Sequence, residues 1–437
     1  MALSFKRLLD FKLPLILIAE ILFCLLFGDM ISPLLKSIFY SVSLLLKDIL
    51  ITALPFIIFA ILCANLSSLS KGAVLFTIMA FSSVILSNFA STLLSGTLGT
   101  LVLQTLTFTK ATPNFGSEIG PIWALPLWEG LLGPFAHILH PSTLETLPVI
   151  KQIKLVSNDM GLVAGIITGL FLSIYPMDWA KKGIVILHGI AFGFFRRFFI
   201  PVLPVFILGY VLNMQQTGVL DKIFENYAQI VLIITLFVFA YIVFLYGVAS
   251  SFNPKKWTLS IKRLIPAALT GFSTMSSASA LPLVIEGVRQ NSKRPDQALE
   301  DDTVTGIVPL SINIHLIGDC FAIPILALAI LVSFGMGLPS VIDFFVFTVF
   351  FVFAKFAVAA VPGGGILVMI PILETYLGFT PEMIVLITSL YILFDPIITS
   401  ANIFGNGAFA GIFNRVFRFY QKVLMPKRQN KKIASSQ

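Results

Sequence analysis

Long apolar runs recur from one end of the chain to the other. A helix of about 20 apolar residues matches the hydrocarbon thickness of a bilayer, so each run predicts a membrane span. The predicted spans are residues 13–28, 38–66, 72–106, 160–176, 183–213, 226–249, 301–335 and 382–412. The pattern predicts an all-α polytopic membrane protein with about eight transmembrane helices.

Two interrupted segments lie between the last predicted spans. The first, 257–285, contains the serine-rich stretch Ser273–Ser279, and the second, 340–375, contains Val361–Gly365. Helix-breaking residues are tolerated at membrane depth only where they are buried in protein or line a cavity. We therefore predict two re-entrant helical hairpins. Paired interrupted segments of this kind are typical of the binding site of a transporter.

Isolated polar side chains occur in the apolar segment that follows each predicted hairpin. They are His315 and Asp319 after the first hairpin, and Asp395, Asn402 and Asn406 after the second. Ionisable groups inside a membrane usually mark solute pathways or proton relays. The unit of hairpin plus following helix occurs twice, at 257–335 and 340–412, as a repeat of hydropathy rather than of residue identity. These features indicate movement of a small polar solute across a membrane.

Composition and charge agree with a membrane location. The chain is 57% hydrophobic and 11% charged, whereas soluble domains average about 25% charged residues. The net charge of +8 does not indicate nucleic acid, because the basic residues collect at the ends of the predicted spans. The positive-inside rule then places both termini in the cytoplasm. We expect a multi-pass protein of the bacterial inner (plasma) membrane, with the lipid bilayer as a partner.

Motifs in the second half resemble those of a known family. The serine-rich tip with Leu281–Leu283 resembles its first re-entrant hairpin, and Ala360–Gly365 resembles its second. Pro309-Leu310 followed by His315–Asp319 occupies the place of the family's Pro-Leu…Asn-Met-Asp-Gly-Thr.

Two further motifs complete the resemblance. The last helix of the family reads Asp-x-x-Arg-Thr-x-x-Asn-x-x-Gly-Asp, and its spacing is matched here by Asp395, Thr399, Asn402, Gly405 and Asn406. Near the start, Leu46–Phe56 resembles the Leu-Lys-Met-Leu…Met-Pro signature of the second helix. The chain thus resembles the dicarboxylate/amino acid:cation symporter family, which includes the glutamate and neutral amino acid transporters.

The resemblance implies an inverted-repeat elevator transporter fold in a homotrimer. By that analogy, 1–71 would hold scaffold helices one and two, 72–106 transport-domain helix three, and 107–225 scaffold helices four and five with an outer-surface excursion. Residues 226–412 would form most of the transport domain, and 413–437 a basic cytoplasmic tail. The excursion, 107–158, is rich in proline, which argues against one regular span.

The resemblance also implies functional residues. The expected substrate-binding residues are Ser276, Ser277, Val361, Pro362, Gly363, Gly364, Asp395, Thr399 and Asn402. Asp395 would pair with the substrate's amino group, while Asn402 and the tip around Ser277 would hold its α-carboxylate. The expected coupling residues are His315, Asp319, Ser311, Asn406 and Asn88. No organic cofactor and no fixed metal ligands are expected, and the coupling ion would be H⁺ or Na⁺.

Departures from the family pattern bear on the substrate. The family's arginine, which clamps an acidic side chain, is replaced by Ile398 in the last helix and by Met275 at its alternative place in the first hairpin. A carboxylate without its bidentate partner would be costly to bury. The sequence therefore favours a neutral zwitterion, a neutral amino acid. The alternative is a sodium-coupled symporter of dicarboxylates or acidic amino acids.

Departures at the cation sites bear on coupling. The family's two sodium-binding carboxylates are replaced by Ile317 and Asn406, although Na⁺ needs hard oxygen ligands. His315 and Asp319 are predicted to share one helical face, as a proton relay or as a pair that braces a broken helix. Proton coupling or cation-independent exchange would follow. A shifted register, with Asn313 and His315 at the family's Asn-x-Asp, would weaken the loss of sodium ligands.

Two other functional classes fit parts of the pattern. An intramembrane enzyme is disfavoured because the metalloprotease motif His-Glu-x-x-His is absent from the sequence, although Asp319 and Asp395 could be imagined as an aspartyl pair. A descendant that no longer transports would have no need of Asp395, Asn402 and Gly363–Gly365. We therefore expect a transporter and not an enzyme.

Overall fold

Helices joined by short connections make up the described part of the chain. The computed structural model describes residues 12–67, 74–105, 121, 158–175, 177–216, 219–292, 306–358 and 363–424, and no strand occurs in these ranges. The helices are α1 (Lys12–Phe27), α2 (Pro33–Ser67), α3 (Val74–Thr105), α4 (Asn158–Ile174), α5 (Asp178–Gly193), α6 (Ile200–Gln216), α7 (Val219–Ala249), α8 (Pro254–Thr274), α9 (Ser277–Ser292), α10 (Ile317–Ser333), α11 (Val341–Ala354), α12 (Gly364–Leu377) and α13 (Pro381–Leu424). The predicted all-α polytopic membrane protein is confirmed.

Three helices in the described part of the chain are long and apolar enough to cross a membrane: Ile78–Thr105, Tyr227–Ala249 and Pro381–Tyr420. They lie in α3, α7 and α13, where the sequence predicts spans. Shorter apolar helices occur within the other predicted spans, among them Val163–Ile174 and Pro204–Asn213. The predicted tail begins as helix, because α13 continues to Leu424. Apart from Pro121 and Asn158, the predicted excursion lies outside the described residues.

The first predicted hairpin is formed by α8 and α9. Asn253 caps α8 by accepting a hydrogen bond at its side chain from Lys256 N (3.1 Å), and proline occupies the first turn. The helix ends at Met275, whose φ of 49° lies in the left-handed region. The chain then reverses, and α9 begins at Ser277 and packs against α8.

The second predicted hairpin is formed by α11 and α12. Ser340 caps α11 by accepting a hydrogen bond from Asp343 N (3.2 Å), and a 3-10 turn at Lys355–Ala357 follows the helix. Residues 359–362 lie outside the described residues. Gly363, with a φ of 72°, leads into α12. Such a φ favours glycine because other residues pay a steric cost there.

The predicted single span 301–335 is interrupted. Residues 306–311 are helical, 312–316 are not, and α10 begins at Ile317. Side chains from other helices replace the missing helical hydrogen bonds at the break. The α3 residue Asn88 donates to Ile314 O (2.7 Å) and accepts from Leu316 N (3.3 Å). Backbone groups left unpaired in an apolar environment are costly, so these bonds stabilise the break.

The break separates His315 from Asp319. Because His315 precedes α10 and Asp319 lies in its first turn, the prediction that both share one helical face is wrong. The sequence spacing alone suggested the shared face. The interruption of the helix between the two residues changes their directions.

Packing groups the helices in two sets. Helix α10 is buried along nearly its whole length and contacts α3, α7 and α13, while α8 and α9 also pack on α13. Helices α1, α4 and α5 pack mainly on α2 or α6, and α2 and α6 pack on each other. Close approach of α4 to α2 depends on Gly161, where a Cβ would clash with Pro55 O.

Candidate functional site

The first hairpin tip, the break before α10, the second hairpin and α13 converge on a small cavity. Its volume is about 30 Å³, which is room for about one or two water molecules. A solute of amino-acid size therefore requires the surrounding elements to move. The lining residues are Met275, Ser277, Ile312, Asn313, Leu316, Asp319, Val358, Gly365, Tyr391, Asp395, Thr399 and Asn402.

Asp395 joins the middle of α13 to the second hairpin. Its Oδ2 accepts a hydrogen bond from Gly363 N (2.8 Å), and its Oδ1 accepts one from Thr399 Oγ1 (2.8 Å). The side chain is 3% exposed and borders the cavity. A carboxylate accepts about four hydrogen bonds in all. Asp395 therefore keeps acceptor capacity for a donor placed in the cavity.

The hairpin residues divide into those at the cavity and those beside it. Ser277 is buried, borders the cavity and begins α9. Ser276 does not line it, and neither does Gly364, which begins α12. The predicted residues Val361 and Pro362 lie outside the described residues.

Asn402 on α13 is engaged with the start of α10. Its Oδ1 accepts hydrogen bonds from Gly318 N (2.8 Å) and Asp319 N (3.4 Å), and its Nδ2 donates to Asp319 Oδ1 (3.1 Å). Asn402 thus caps a helix from a neighbouring helix. It lines the cavity as well, with one amide hydrogen of Nδ2 left for a solute.

Asp319 has two partners that the sequence motifs did not reveal. Lys355 Nζ lies 2.8 Å from its Oδ2, and Tyr391 Oη donates to its Oδ1 (3.0 Å). Lys355 and Asp319 are 0% and 1% exposed, and Lys355 Nζ also lies 4.5 Å from the centre of the Phe351 ring. The available signal was a lone lysine in the apolar run of the second hairpin, since charges at membrane depth are rarely unpaired.

Lys355 forms an ion pair with Asp319 without lining the cavity itself. Asp319 borders the cavity and Lys355 does not. Among the described residues that line the cavity there are two carboxylates and no basic side chain. Because Lys355 pairs with Asp319, Asp395 is the carboxylate of the cavity that has no basic partner among the described residues. The arrangement suits a ligand that brings an ammonium group.

The other predicted coupling residues surround the break instead of the cavity. His315 Nε2 lies 2.9 Å from Ser87 Oγ, and the imidazole stacks on Phe409 at 4.2 Å between ring centres. Ser311 O accepts a hydrogen bond from His315 N (2.8 Å), and Asn406 Nδ2 donates to His315 O (3.0 Å). With Asn88, these residues form a second polar cluster that does not line the cavity.

Gly365 allows the closest approach of α12 to Asp319. A methyl group there would lie 2.6 Å from Asp319 Oδ2 and would clash with Tyr391 Oη. We expect Gly365→Ala to reduce solute uptake at least about fivefold, because overpacking costs about 1–3 kcal/mol and displaces both partners. Uptake into proteoliposomes is the measurement. The control is Gly189→Ala on α5, where a Cβ meets no atom within 4 Å. Equal activity of the two variants would contradict the expectation.

A comparison with known families identifies the chain. A sequence model of the sodium:dicarboxylate symporter family matches residues 156–416, which is more than half of the chain and includes both hairpins and α13 as far as residue 416. A comparison with curated proteins finds no match. The resemblance seen in the hairpin and last-helix motifs is confirmed. The chain belongs to the sodium:dicarboxylate symporter family.

Proposed function

We propose that the protein is a secondary active transporter of a small zwitterionic solute, a neutral amino acid, and that it does not depend on sodium. The observation that carries this proposal is the buried carboxylate of Asp395 at a cavity lined by no basic side chain among the described residues. A cavity of this charge favours a ligand with an ammonium group and disfavours one with a net negative charge.

The carboxylate of the solute would be held by the hairpins. Helix α9 begins at Ser277, which lines the cavity, and α12 begins at Gly364, next to the lining residue Gly365. Helix N-termini carry partial positive charge and free backbone N–H groups. Together with the Ser277 hydroxyl, they offer a carboxylate donors without a basic side chain. A solute with its ammonium group at Asp395 and its carboxylate between the two hairpin tips is a zwitterion.

The side chain of the solute would meet apolar groups. Met275 lines the cavity and is 3% exposed, whereas Ile398, 4% exposed on α13, lies outside the cavity lining. Neither residue can pair with a second carboxylate. A dicarboxylate would leave one charge unpaired, at a cost of several kcal/mol in a dry site.

Sodium independence is supported by the ion pair of Lys355 with Asp319. The ammonium of Lys355 already supplies a positive charge to this buried carboxylate at 2.8 Å. Ile317 and Asn406 replace the carboxylates that would bind sodium by family resemblance. We propose proton coupling or cation-independent exchange in place of sodium coupling.

The elevator mechanism is proposed from the family and the packing. The helices α1, α2 and α4–α6 would form the scaffold and the trimer contacts. Helix α3 and helices α7–α13 would form the moving transport domain. Their packing in two sets supports this division. The bacterial inner membrane, with both termini in the cytoplasm, is the proposed location.

The test is uptake into proteoliposomes under separately imposed gradients. We expect a labelled mixture of neutral amino acids to enter with an inward proton gradient, or by exchange for internal amino acid, in the complete absence of sodium. An unlabelled neutral amino acid should compete, and a dicarboxylate should not. Uptake that requires sodium and is inhibited by a dicarboxylate would overturn the proposal. It would establish the sodium-coupled dicarboxylate symporter instead.

A further inference from the structure

A basic cleft lies where α7, α8, α9 and α13 meet, and it shares no lining residue with the cavity at Asp395. Its volume is about 590 Å³, within the range of about 300–1,000 Å³ typical of small-molecule sites. The basic lining residues are Lys256, Arg263, Arg415 and Arg418. None of the described lining residues is acidic. We propose that this cleft binds a phosphate-bearing ligand.

All three arginines of the cleft bond to neighbouring groups, and Arg415 Nη1 donates to Val248 O (2.9 Å). Arg263 Nη1 donates to Gln290 O (2.7 Å) and lies 3.3 Å from Asn291 Oδ1, which connects α8 to the end of α9. Arg418 Nε donates to Asn414 Oδ1 (3.2 Å) on α13. Each guanidinium carries five N–H donors in a fixed planar fork. A positioned guanidinium matches the geometry of phosphate oxygens.

A buried hydroxyl at the cleft gives a second, independent indication of a ligand. Tyr246 on α7 is 1% exposed and lines the cleft, and its hydroxyl has no hydrogen-bond partner in the described structure. Buried polar atoms are nearly always satisfied. Gly407 leaves room for this hydroxyl, because a Cβ there would lie 2.5 Å from Tyr246 Oη. The hydroxyl is buried beneath the surface of the cleft, so a phosphate oxygen accepts the missing hydrogen bond after a local shift of α13 at Gly407.

The cleft lies at the end of an apolar helix, which is where lipid headgroups are expected. The apolar stretch Tyr227–Ala249 ends at the cleft, and Trp257 beside it donates its indole N–H to Val243 O (2.9 Å). Tryptophan is enriched at membrane–water interfaces, and basic pockets between membrane helices bind phosphate headgroups. An anionic phospholipid and a soluble phosphate present the same chemistry to the cleft.

The experiment measures binding to the purified full-length protein in detergent. One arm titrates inorganic phosphate against chloride at matched ionic strength. The other titrates phosphatidylglycerol against phosphatidylcholine, with bound lipid counted by native mass spectrometry. The variants are Lys256→Gln and Tyr246→Phe. The matched control is Lys255→Gln, which removes a neighbouring exposed lysine that does not line the cleft.

We expect saturable binding of at least one phosphate probe. Lys256→Gln should weaken it about tenfold, and Tyr246→Phe about fivefold, by loss of a charged and a neutral hydrogen bond respectively. Lys255→Gln should leave it unchanged. Binding of phosphatidylglycerol alone identifies a lipid headgroup, and binding of inorganic phosphate as well identifies a soluble anion. No binding of either probe, or equal effects of Lys255→Gln and Lys256→Gln, overturns the proposal. Because Lys256 is exposed and the Tyr246 hydroxyl makes no bond within the described protein, both variants should fold.

Discussion

Asp395→Asn is expected to reduce uptake of a neutral amino acid at least about thirtyfold. The change removes the acidic group that has no basic partner at the cavity but keeps the size of the side chain. Loss of one partner of a buried charge pair costs about 2–5 kcal/mol in binding, which is about thirtyfold or more. The amide oxygen can still accept from Gly363 N, and Thr399 Oγ1 can accept from the amide N–H. The link between α13 and the second hairpin should therefore survive.

The measurement is initial uptake rate in proteoliposomes, with binding measured in parallel. Asp343→Asn is the matched control, since it changes an exposed carboxylate that pairs with Ser340 at the start of α11. A second comparison uses a hydroxy-acid analogue that lacks the ammonium group. The wild-type protein should discriminate strongly against it, and Asp395→Asn should lose that discrimination. Unchanged uptake of the amino acid by Asp395→Asn would contradict the role assigned to this carboxylate.

Lys355→Met is expected to lower the stability of the folded protein strongly. It leaves the Asp319 carboxylate buried without its cation, and breaking a buried ion pair from one side costs about 3–5 kcal/mol. Asp319→Asn should destabilise for the converse reason. The double variant Asp319→Asn/Lys355→Met removes both charges. It should recover most of the lost stability, because no unpaired charge remains.

Thermal unfolding in detergent gives the midpoints for this double-mutant cycle. Lys36→Met is the control: Lys36 is also buried, but its Nζ donates to the amide oxygens of Gln215 and Gln216 instead of a carboxylate.

The effect of sodium on the unfolding midpoint provides a second test. Sodium chloride, compared with choline chloride, should stabilise Lys355→Met and leave the wild type unaffected, since the vacated carboxylate can then take an inorganic cation. Sodium stabilisation of the wild type would contradict sodium independence, and additive single effects would contradict the pairing.

Much of the fold follows from local features of the sequence. The serine-rich and glycine-rich tips predict both hairpins, because helix breakers interrupt apolar runs there regardless of what surrounds them. The last-helix positions Asp395, Thr399 and Asn402 are also recognisable, because a regular helix fixes the spacing of side chains on one face. Of these predicted residues, all three reach the cavity.

The pairing of polar groups could not be predicted in the same way. His315 and Asp319 are close in the sequence, but the break before α10 places them in separate polar clusters. Asp319 pairs instead with Lys355, which is 36 residues away. Asn402 is recognisable as a polar position, yet its use as a cap for α10 depends on the approach of two helices. The periodicity of side chains along one helix carries no information about the distance between two helices.

The sequence by itself determined the membrane class, the two hairpins and the polar residues available to the site. Only the tertiary structure decided that Lys355 pairs with Asp319, which leaves Asp395 without a basic partner at the cavity. It also decided that Tyr246, Arg263 and Arg418 from three helices share one cleft. The physical reason is that the length of an apolar run and the presence of helix-breaking residues are properties of a few consecutive turns of the chain. The stability of a buried charge depends on partners brought within hydrogen-bonding distance by helix packing, whatever their separation in sequence.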